Sequence, residues 1–304
     1  MTTFMKGIGQ FGLACIGILL ILASPALISG PKSFAASTMT IMQEIMHPGT
    51  LSYYAHSETL SFSRMPEARS VEFHQKQATI ELFPSILDSY VYSMSLMMGG
   101  LMLSIVVASL SGLFLIQFPS FLKKVIFSAI DVLESVPDVF FIFSIQLCVV
   151  WFYKMTGVEL ALAYSTNDQQ AFLLPVIILS IVPGIYMLKI QLLFMNEEME
   201  KDYALFAKSK GLSHAMISLH HIFRNTVMEC LAHLPVIVLS LFTHLVVLEF
   251  LFQSNGIMRF ILGDQPASSR VFMLILTMTP FFFIINGLNH FRQRFYPGSG
   301  GEME

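Results

Sequence analysis

Residues 202–225 read DYALFAKSKGLSHAMISLHHIFRN and lie between two long apolar runs. Within this stretch, acidic, basic and small side chains crowd around one glycine. Gly211 is placed to end a helix, and Ser213 is placed to cap the next one. The stretch therefore predicts two short helices joined at a Gly-Leu-Ser corner, although spacing alone also allows a solvated loop that only connects its flanks.

Both halves of this segment have amphipathic periodicity. Acidic residues come early in residues 197–211 and lysines come late, an order that suits the dipole of a helix. Side chains at helical spacing form one stripe in each half, namely Met199, Tyr203 and Phe206 in the first and Met216, His220 and Phe223 in the second. We therefore expect one helix over residues 197–211 and a second over residues 214–224.

The composition predicts an integral membrane protein. Of the 304 residues, 55% are hydrophobic and only 12% are charged, and the mean hydropathy is +0.68. A soluble domain carries about 25% charged residues, so this chain has too little polar surface to coat a water-soluble body. The net charge of −3 and the lack of a basic block give no indication of nucleic-acid binding. The three cysteines lie apart in apolar stretches and predict neither a disulfide nor a zinc site.

Six segments are apolar over the roughly 20 residues that a membrane helix needs. They predict an all-α polytopic membrane protein with about six transmembrane helices, at 8–29, 90–117, 125–152, 170–194, 228–250 and 271–291. A cleaved signal peptide is the alternative for the first segment, because Ser33-Phe34-Ala35 has small residues suited to cleavage. Its 25 consecutive uncharged residues exceed the core of about 7–15 that a signal peptide uses, which favours a retained helix.

The positive-inside rule orients these helices. With the N-terminus in the cytoplasm, the inner segments carry nine basic residues and the short outer loops carry three. The inner set is Lys6, Lys123, Lys124, Lys201, Lys208, Lys210, Arg224, Arg292 and Arg294, and the outer set is Lys154, Arg259 and Arg270. We therefore expect an N-in/C-in topology that places residues 196–226 in the cytoplasm. The predicted parts are a first transmembrane helix at 1–30, an extracytoplasmic segment at 31–85, a core at 86–292 and a cytoplasmic tail at 293–304.

The stretch at 202–225 resembles the cytoplasmic coupling loop of permease subunits in binding-protein-dependent ABC importers of the oligopeptide, dipeptide and nickel type. That loop shows Asp-Tyr, an Ala, a basic residue, Lys-Gly-Leu-Ser, a His and Arg-Asn at fixed distances. The matching residues, in register over 24 positions without a gap, are Asp202, Tyr203, Ala207, Lys208, Lys210, Gly211, Leu212, Ser213, His221, Arg224 and Asn225.

Other landmarks of the family follow in order. DVLESVP at 131–137, FLLPVIIL at 172–179 and VVLEFLFQSNGIMRFIL at 246–262 are similar to three of them, so the resemblance covers about residues 85–292. Leu205 departs from it, because the wider permease consensus has Glu at this place. Glu229 stands near the place of an expected proline, which appears as Pro235 six residues further on. The sequence therefore leaves open how the fifth span begins.

The resemblance implies an ABC type I importer permease fold whose loop fits into a groove on an ATPase. Met199, Tyr203, Phe206 and Leu212 are then expected apolar anchors, and Lys208 and Lys210 are expected at a polar rim. The implied partners are a second permease subunit forming a heterodimer, two cytoplasmic ATPase subunits, an extracytoplasmic substrate-binding protein and the lipid bilayer of a bacterial cell membrane. Peptides are the implied substrate class, with nickel chelates or other small solutes also open.

Four acidic residues are candidate intramembrane polar groups. Asp131, Glu134 and Asp138 have the i, i+3, i+7 spacing of one helix face near the inner leaflet, where a structural role is favoured and an ion path remains open. Glu249, near the outer end of the fifth span, is expected either to meet substrate or to bind water at the surface.

The sequence contains no G-x-x-x-x-G-K-[ST] motif and no catalytic constellation. We therefore expect no ATP site in this chain, no enzymatic activity, no cofactor and no metal site. Two other classes of protein remain open. One is a membrane scaffold or sensor that has this fold and moves nothing, and the other is a secondary carrier driven by ions through the three acids of the third predicted span.

Overall fold

The computed structural model describes residues 2–62, 71–166 and 169–295, and most of these are helical. Apolar runs of this length form helices because a helix satisfies its own backbone hydrogen bonds in a bilayer. The α-helices are α1 (Thr2–Ala23), α2 (Pro31–Ile45), α3 (Leu87–Leu115), α4 (Ser120–Glu134), α5 (Asp138–Thr156), α6 (Leu173–Glu200), α7 (Asp202–Ser209), α8 (His214–Ile217), α9 (Phe223–Cys230), α10 (Leu234–Leu251), α11 (Ile257–Leu262) and α12 (Ala267–Phe295). Two strands, β1 (Ser52–Phe62) and β2 (Val71–Glu81), form an antiparallel hairpin.

Six helical segments among the described residues are long and apolar enough to cross a membrane. They are Gly7–Ser29, Leu87–Leu115, Asp138–Thr156, Leu173–Glu200, His214–Leu251 and Ala267–Arg292. Each predicted span overlaps one of these segments, so the expected fold class and the expected six spans are confirmed.

The third predicted span, 125–152, is wrong in its bounds. Two helices occupy this region, because α4 ends at Glu134 and α5 begins at Asp138. Pro137 lies between them with an extended ψ of 140°. A proline cannot donate a backbone hydrogen bond, and it disfavours helical conformation at the residue before it. The 19 residues of α5 suffice to cross a membrane, which leaves α4 as a separate amphipathic helix.

The described residues fall into two compact units. The first comprises Met1–Val91 and Ile257–Pro280, and its apolar core contains Ala23, Ile41 and Val271. Within it, the predicted extracytoplasmic segment 31–85 forms α2 and the hairpin, a fold that its mixed composition does not reveal. Side chains of the loop before α12 and of its first turn hold the hairpin base: Gln265 Oε1 accepts from Tyr54 N at 2.7 Å, and the Ser269 hydroxyl donates to Ser52 O at 2.6 Å.

The second unit comprises Tyr92–Gly256 and Phe281–Glu304. Its helices α3 and α6 approach each other closely through small residues, as membrane helices commonly do. A Cβ at Gly100 would lie 3.1 Å from Leu179 Cδ2, and one at Gly184 would lie 3.7 Å from Ser104 Cα. The predicted tail at 293–304 lies outside the described residues after Phe295, where α12 ends.

Candidate functional site

The segment that resembles a coupling loop belongs to the second unit and begins where α6 ends. Helix α6 continues to Glu200, and Lys201 interrupts it with an extended ψ of 149° before α7 starts at Asp202. The expected helix over 197–211 is therefore wrong at its start. Glu197, Glu198 and Glu200 lie in the last turn of α6, so they do not open the following helix.

The Gly-Leu-Ser corner adopts the predicted geometry. Gly211 has a φ of +78°, a left-handed conformation that glycine adopts without strain. Gly211 N donates to Lys208 O at 3.0 Å and Leu212 N donates to Ala207 O at 3.4 Å, the paired bonds of a Schellman motif. Ser213 Oγ accepts from Met216 N at 3.3 Å and caps α8. Both residues therefore end and begin helices as the sequence predicts.

An apolar cluster fixes the inner face of this segment. Its buried members come from α7, α8, the π-helical turn at Ser218–Ile222, α6, α4 and the residue after α3. They are Ile116, Ile130, Leu192, Met195, Ala204, Ala207, Ile217 and Ile222. Met199 and Leu212 pack against this cluster. Both side chains are half-buried and stabilise the segment from below, and their expected role as docking anchors stays a prediction.

Four apolar side chains of α7, α8 and the π-helical turn are exposed. The exposed fractions are 51% for Leu205, 61% for Phe206, 49% for Met216 and 52% for Leu219. Lys210 Nζ lies 4.4 Å above the centroid of the Phe206 ring, a cation–π contact. We call Leu205, Phe206, Met216 and Leu219 the outer patch. Sequence reasoning named Phe206 as an anchor and placed Met216 in an amphipathic stripe, but it missed Leu205 and Leu219. Their spacing from the buried Ala204, Ala207 and Ile217 indicates their outward positions.

A buried carboxylate joins the two ends of the segment. Glu198 is 2% exposed, and its two oxygens accept from the Lys201 ammonium and the Tyr203 hydroxyl. The Tyr203 hydroxyl also accepts from Asn225 Nδ2 at 3.3 Å, which brings together two residues of the sequence motif that lie 22 positions apart. Burial and the Glu198 carboxylate raise the pKa of Tyr203 to about 12, so its hydroxyl keeps its proton at neutral pH. Sequence reasoning placed Glu198 and Lys201 nearby but assigned them no partner.

The remaining motif residues lie at the surface of the segment and are not brought to one point. Asp202 opens α7 and Lys208 closes it, while His221 lies in the π-helical turn and Arg224 in the first turn of α9, all four of them exposed. Opposite charges at the two ends of α7 agree with its dipole.

The three acids of the third predicted span do not share a face. Lys189 Nζ of α6 lies 2.8 Å from Asp131 Oδ1 and 2.6 Å from Glu134 Oε2 of α4. Asp138 opens α5, where its Oδ2 lies 2.7 Å from Nε2 of His244 in α10. The interruption at Pro137 separates these groups, so the predicted common face is wrong.

Glu249 is fully buried at the end of α10. The Ser93 hydroxyl donates to its Oε1 at 2.5 Å, and a Cβ at Gly256 would lie 2.1 Å from its Cδ. A side chain at position 256 would therefore require this carboxylate to shift. The expectation that Glu249 binds surface water is wrong, because the chain encloses its carboxylate.

Comparison with known proteins identifies the class. Residues 100–294 match the family of binding-protein-dependent transport system inner membrane components. The chain is 25% identical over 150 residues to the oligopeptide transport system permease protein AmiC of Streptococcus pneumoniae, a match that covers 46% of this chain and 29% of that protein. It is 29% identical over 117 residues to the dipeptide transport system permease protein DppB of Haemophilus influenzae, covering 37% of this chain and 35% of that protein. The chain thus spans about a third of the length of the curated relatives that it matches.

The six spans and this match define a membrane permease of the ABC type I importer fold. Because the family match covers more than half of the chain, the chain belongs to the family of binding-protein-dependent transport system inner membrane components. It is a multi-pass protein of the plasma membrane, and the family consists of non-catalytic membrane subunits. The resemblance seen in residues 202–225 is confirmed at the level of the family.

Proposed function

We propose that this chain is one of two permease subunits in an ATP-driven importer for peptides or similar small solutes. Residues 196–226 form the cytoplasmic segment that docks into an ATPase subunit. Closure of two ATPase subunits around ATP displaces this segment and tilts the adjoining spans, which changes the side of the membrane to which the pathway opens. An extracytoplasmic binding protein delivers the substrate. The names of the two curated relatives support peptides as the substrate class.

The observation that carries this proposal is the outer patch on a fixed base. Isolated helices as short as α7 and α8 are unstable in water, so an exposed apolar face on them needs support. The buried cluster supplies that support, with Ala204 and Ala207 fully inside it. Exposed apolar side chains with a lysine beside Phe206 are a composition that protein interfaces use.

The ion-driven carrier receives less support. A proton or ion path needs acids that face one route, whereas Asp131 and Glu134 both bind Lys189 and Asp138 lies on another helix. A non-transporting scaffold differs from an importer in the proteins that it binds, so co-purification distinguishes the two.

The decisive experiment is purification through a tag placed after Glu304, in a mild detergent, with partners identified by mass spectrometry. We expect a P-loop ATPase and a second permease to co-purify with the unsubstituted chain. Phe206→Asp places a charge in the outer patch and is expected to lose the ATPase while keeping the second permease. Leu160→Asp is the matched control, because Leu160 is 56% exposed in the loop between α5 and α6 and lies outside the docking segment.

Two results contradict the proposal. Recovery of the chain alone, in a detergent that preserves a known importer, favours the scaffold or the carrier. Retention of the ATPase by Phe206→Asp at the level of Leu160→Asp removes residues 196–226 as the docking segment.

A further inference from the structure

The docking segment is attached to α6 by one extended residue. Lys201 has a ψ of 149° between two helical residues, so without further contacts α7 could pivot about this point. A segment that pivots freely absorbs a displacement and does not transmit it. The apolar cluster beneath α7 and the contacts around Lys201 therefore decide together how far motion of the docking segment reaches the spans.

Those contacts converge on Glu198. A carboxylate in the last turn of a helix faces the negative end of the helix dipole, and burial adds a further cost to its charge. Glu198 is nevertheless 2% exposed, and two donors bind its two oxygens: the Lys201 ammonium and the Tyr203 hydroxyl. The local arrangement therefore depends on both donors remaining in place.

Tyr203 extends this contact to the other end of the segment. Its hydroxyl accepts from Asn225 Nδ2 at 3.3 Å, and Asn225 lies on α9, which leads into α10 and the fifth span. One phenol oxygen thus links the end of α6, the first turn of α7 and α9. Side-chain networks of this kind hold a single geometry because each member fixes the position of the next.

We infer that the Tyr203 hydroxyl fixes the junction between α6 and α7 at Lys201, so that a displacement of α7 and α8 moves the fourth and fifth spans together. Tyr203 is then a positioning residue, in contrast to the surface anchor that its place in the amphipathic stripe predicts. The exposed fraction of Tyr203 is 36% against 61% for Phe206, which agrees with this division of roles. The inference rests on the proposed function and deepens it.

Tyr203→Phe is the test variant, because it removes the hydroxyl and keeps the ring. Tyr164→Phe is the matched control, since Tyr164 is 60% exposed in the loop between α5 and α6. Hydrogen–deuterium exchange of the purified full chain measures directly how rigid the junction between α6 and α7 is. We expect the amides of residues 201–207 to exchange about tenfold faster in Tyr203→Phe, the effect of losing one hydrogen bond to a charged group, and to be unchanged in Tyr164→Phe. Unchanged exchange in Tyr203→Phe overturns the inference that the hydroxyl fixes this junction, whether or not an ATPase binds.

Transmission of motion from the docking segment to the spans is measured in the complex of the chain with its ATPase. Spin labels are placed on cysteines at positions 147 and 193, because Leu147 of α5, in the third span, and Leu193 of α6, in the fourth span, are exposed, in a chain whose three native cysteines are replaced. Their separation is recorded by pulsed electron spin resonance before and after trapping with Mg-ATP and vanadate. We expect the separation to change in the parent and in Tyr164→Phe, and to change less in Tyr203→Phe although the ATPase remains bound.

A nucleotide-dependent change in Tyr203→Phe equal to that of the parent overturns the inference while the proposed function stands. Absence of any ATPase from the parent preparation refutes the proposed function, and with it transmission to the spans. The exchange experiment then still decides whether Tyr203 fixes the junction between α6 and α7. Failure of the inference and failure of the proposed function are therefore distinguishable.

Discussion

The Lys189 ammonium of α6 lies 2.6 Å from Glu134 Oε2 at the end of α4. The same nitrogen lies 2.8 Å from Asp131 Oδ1, one turn earlier on α4. Lys189 and Glu134 are 29% and 26% exposed, so water screens this pair less than a surface pair. The contact joins α4 to the fourth span, close to the cluster that supports α7 and α8.

Lys189→Met is expected to destabilise the chain by about 1 kcal/mol, because it leaves Glu134 half-buried without its counter-ion. Thermal unfolding in detergent measures the loss. In the double variant with Glu134→Gln, the two losses are expected to be less than additive, since both remove one interaction. Additive losses would show that the two side chains do not stabilise each other.

Gly256→Ala is expected to cost about 1–3 kcal/mol, because the new Cβ overlaps the Glu249 carboxylate, whose Cδ lies 2.1 Å away. The free energy of unfolding measures this cost, and most of it should vanish in a Glu249→Ala background. Gly17→Ala is the control, since no heavy atom lies within 4 Å of a Cβ at that position. Equal stability of the Gly256 and Gly17 variants would contradict the close contact.

Gly211→Pro is expected to abolish ATPase co-purification while membrane insertion persists. Proline fixes φ near −65°, whereas position 211 has a φ of +78° and donates its amide to Lys208 O. Gly211→Asn is the matched variant, because asparagine adopts the left-handed conformation at helix ends more readily than other residues with a side chain. We expect it to retain the ATPase. Equal recovery with proline and asparagine would mean that the corner does not position the docking segment.

Gly100→Leu is expected to destabilise the second unit by about 1–3 kcal/mol, because α3 and α6 cannot separate without losing other contacts. Even a Cβ at position 100 lies 3.1 Å from Leu179 Cδ2. Gly184→Ala is the control, since its Cβ would make an ordinary contact at 3.7 Å with Ser104 Cα. Thermal unfolding of both variants in the same detergent checks the difference, and two equal midpoints would be inconsistent with this helix contact.

Sequence reasoning succeeded where a property depends on neighbouring residues. Gly211 and Ser213 mark a helix end and a helix start because backbone conformation and capping are decided within a few residues. It failed at Pro137, where apolar continuity over 125–152 concealed a break that one proline imposes. It also failed at Glu200 and Lys201, because acids before Asp202 are compatible both with the end of one helix and with the start of another.

The candidate site follows the same division. The register of Asp202 through Asn225 identifies the segment, but one-dimensional periodicity does not distinguish a phenol that points outward from one that reaches a buried carboxylate. Tyr203 and Phe206 occupy one stripe in sequence, and only the positions of α6 and α9 assign the Tyr203 hydroxyl to Glu198 and Asn225.

The sequence by itself determined the membrane class, the six spans and the family, because hydropathy over about 20 residues and the spacing of a local motif are properties of the chain. The tertiary structure alone decided the partners of the charged groups: Lys189 with Asp131 and Glu134, Glu249 with Ser93, and Glu198 with Tyr203. The physical reason is distance along the chain. A buried charge needs a partner within about 3–4 Å, and helices distant in sequence supply that partner only when they pack together.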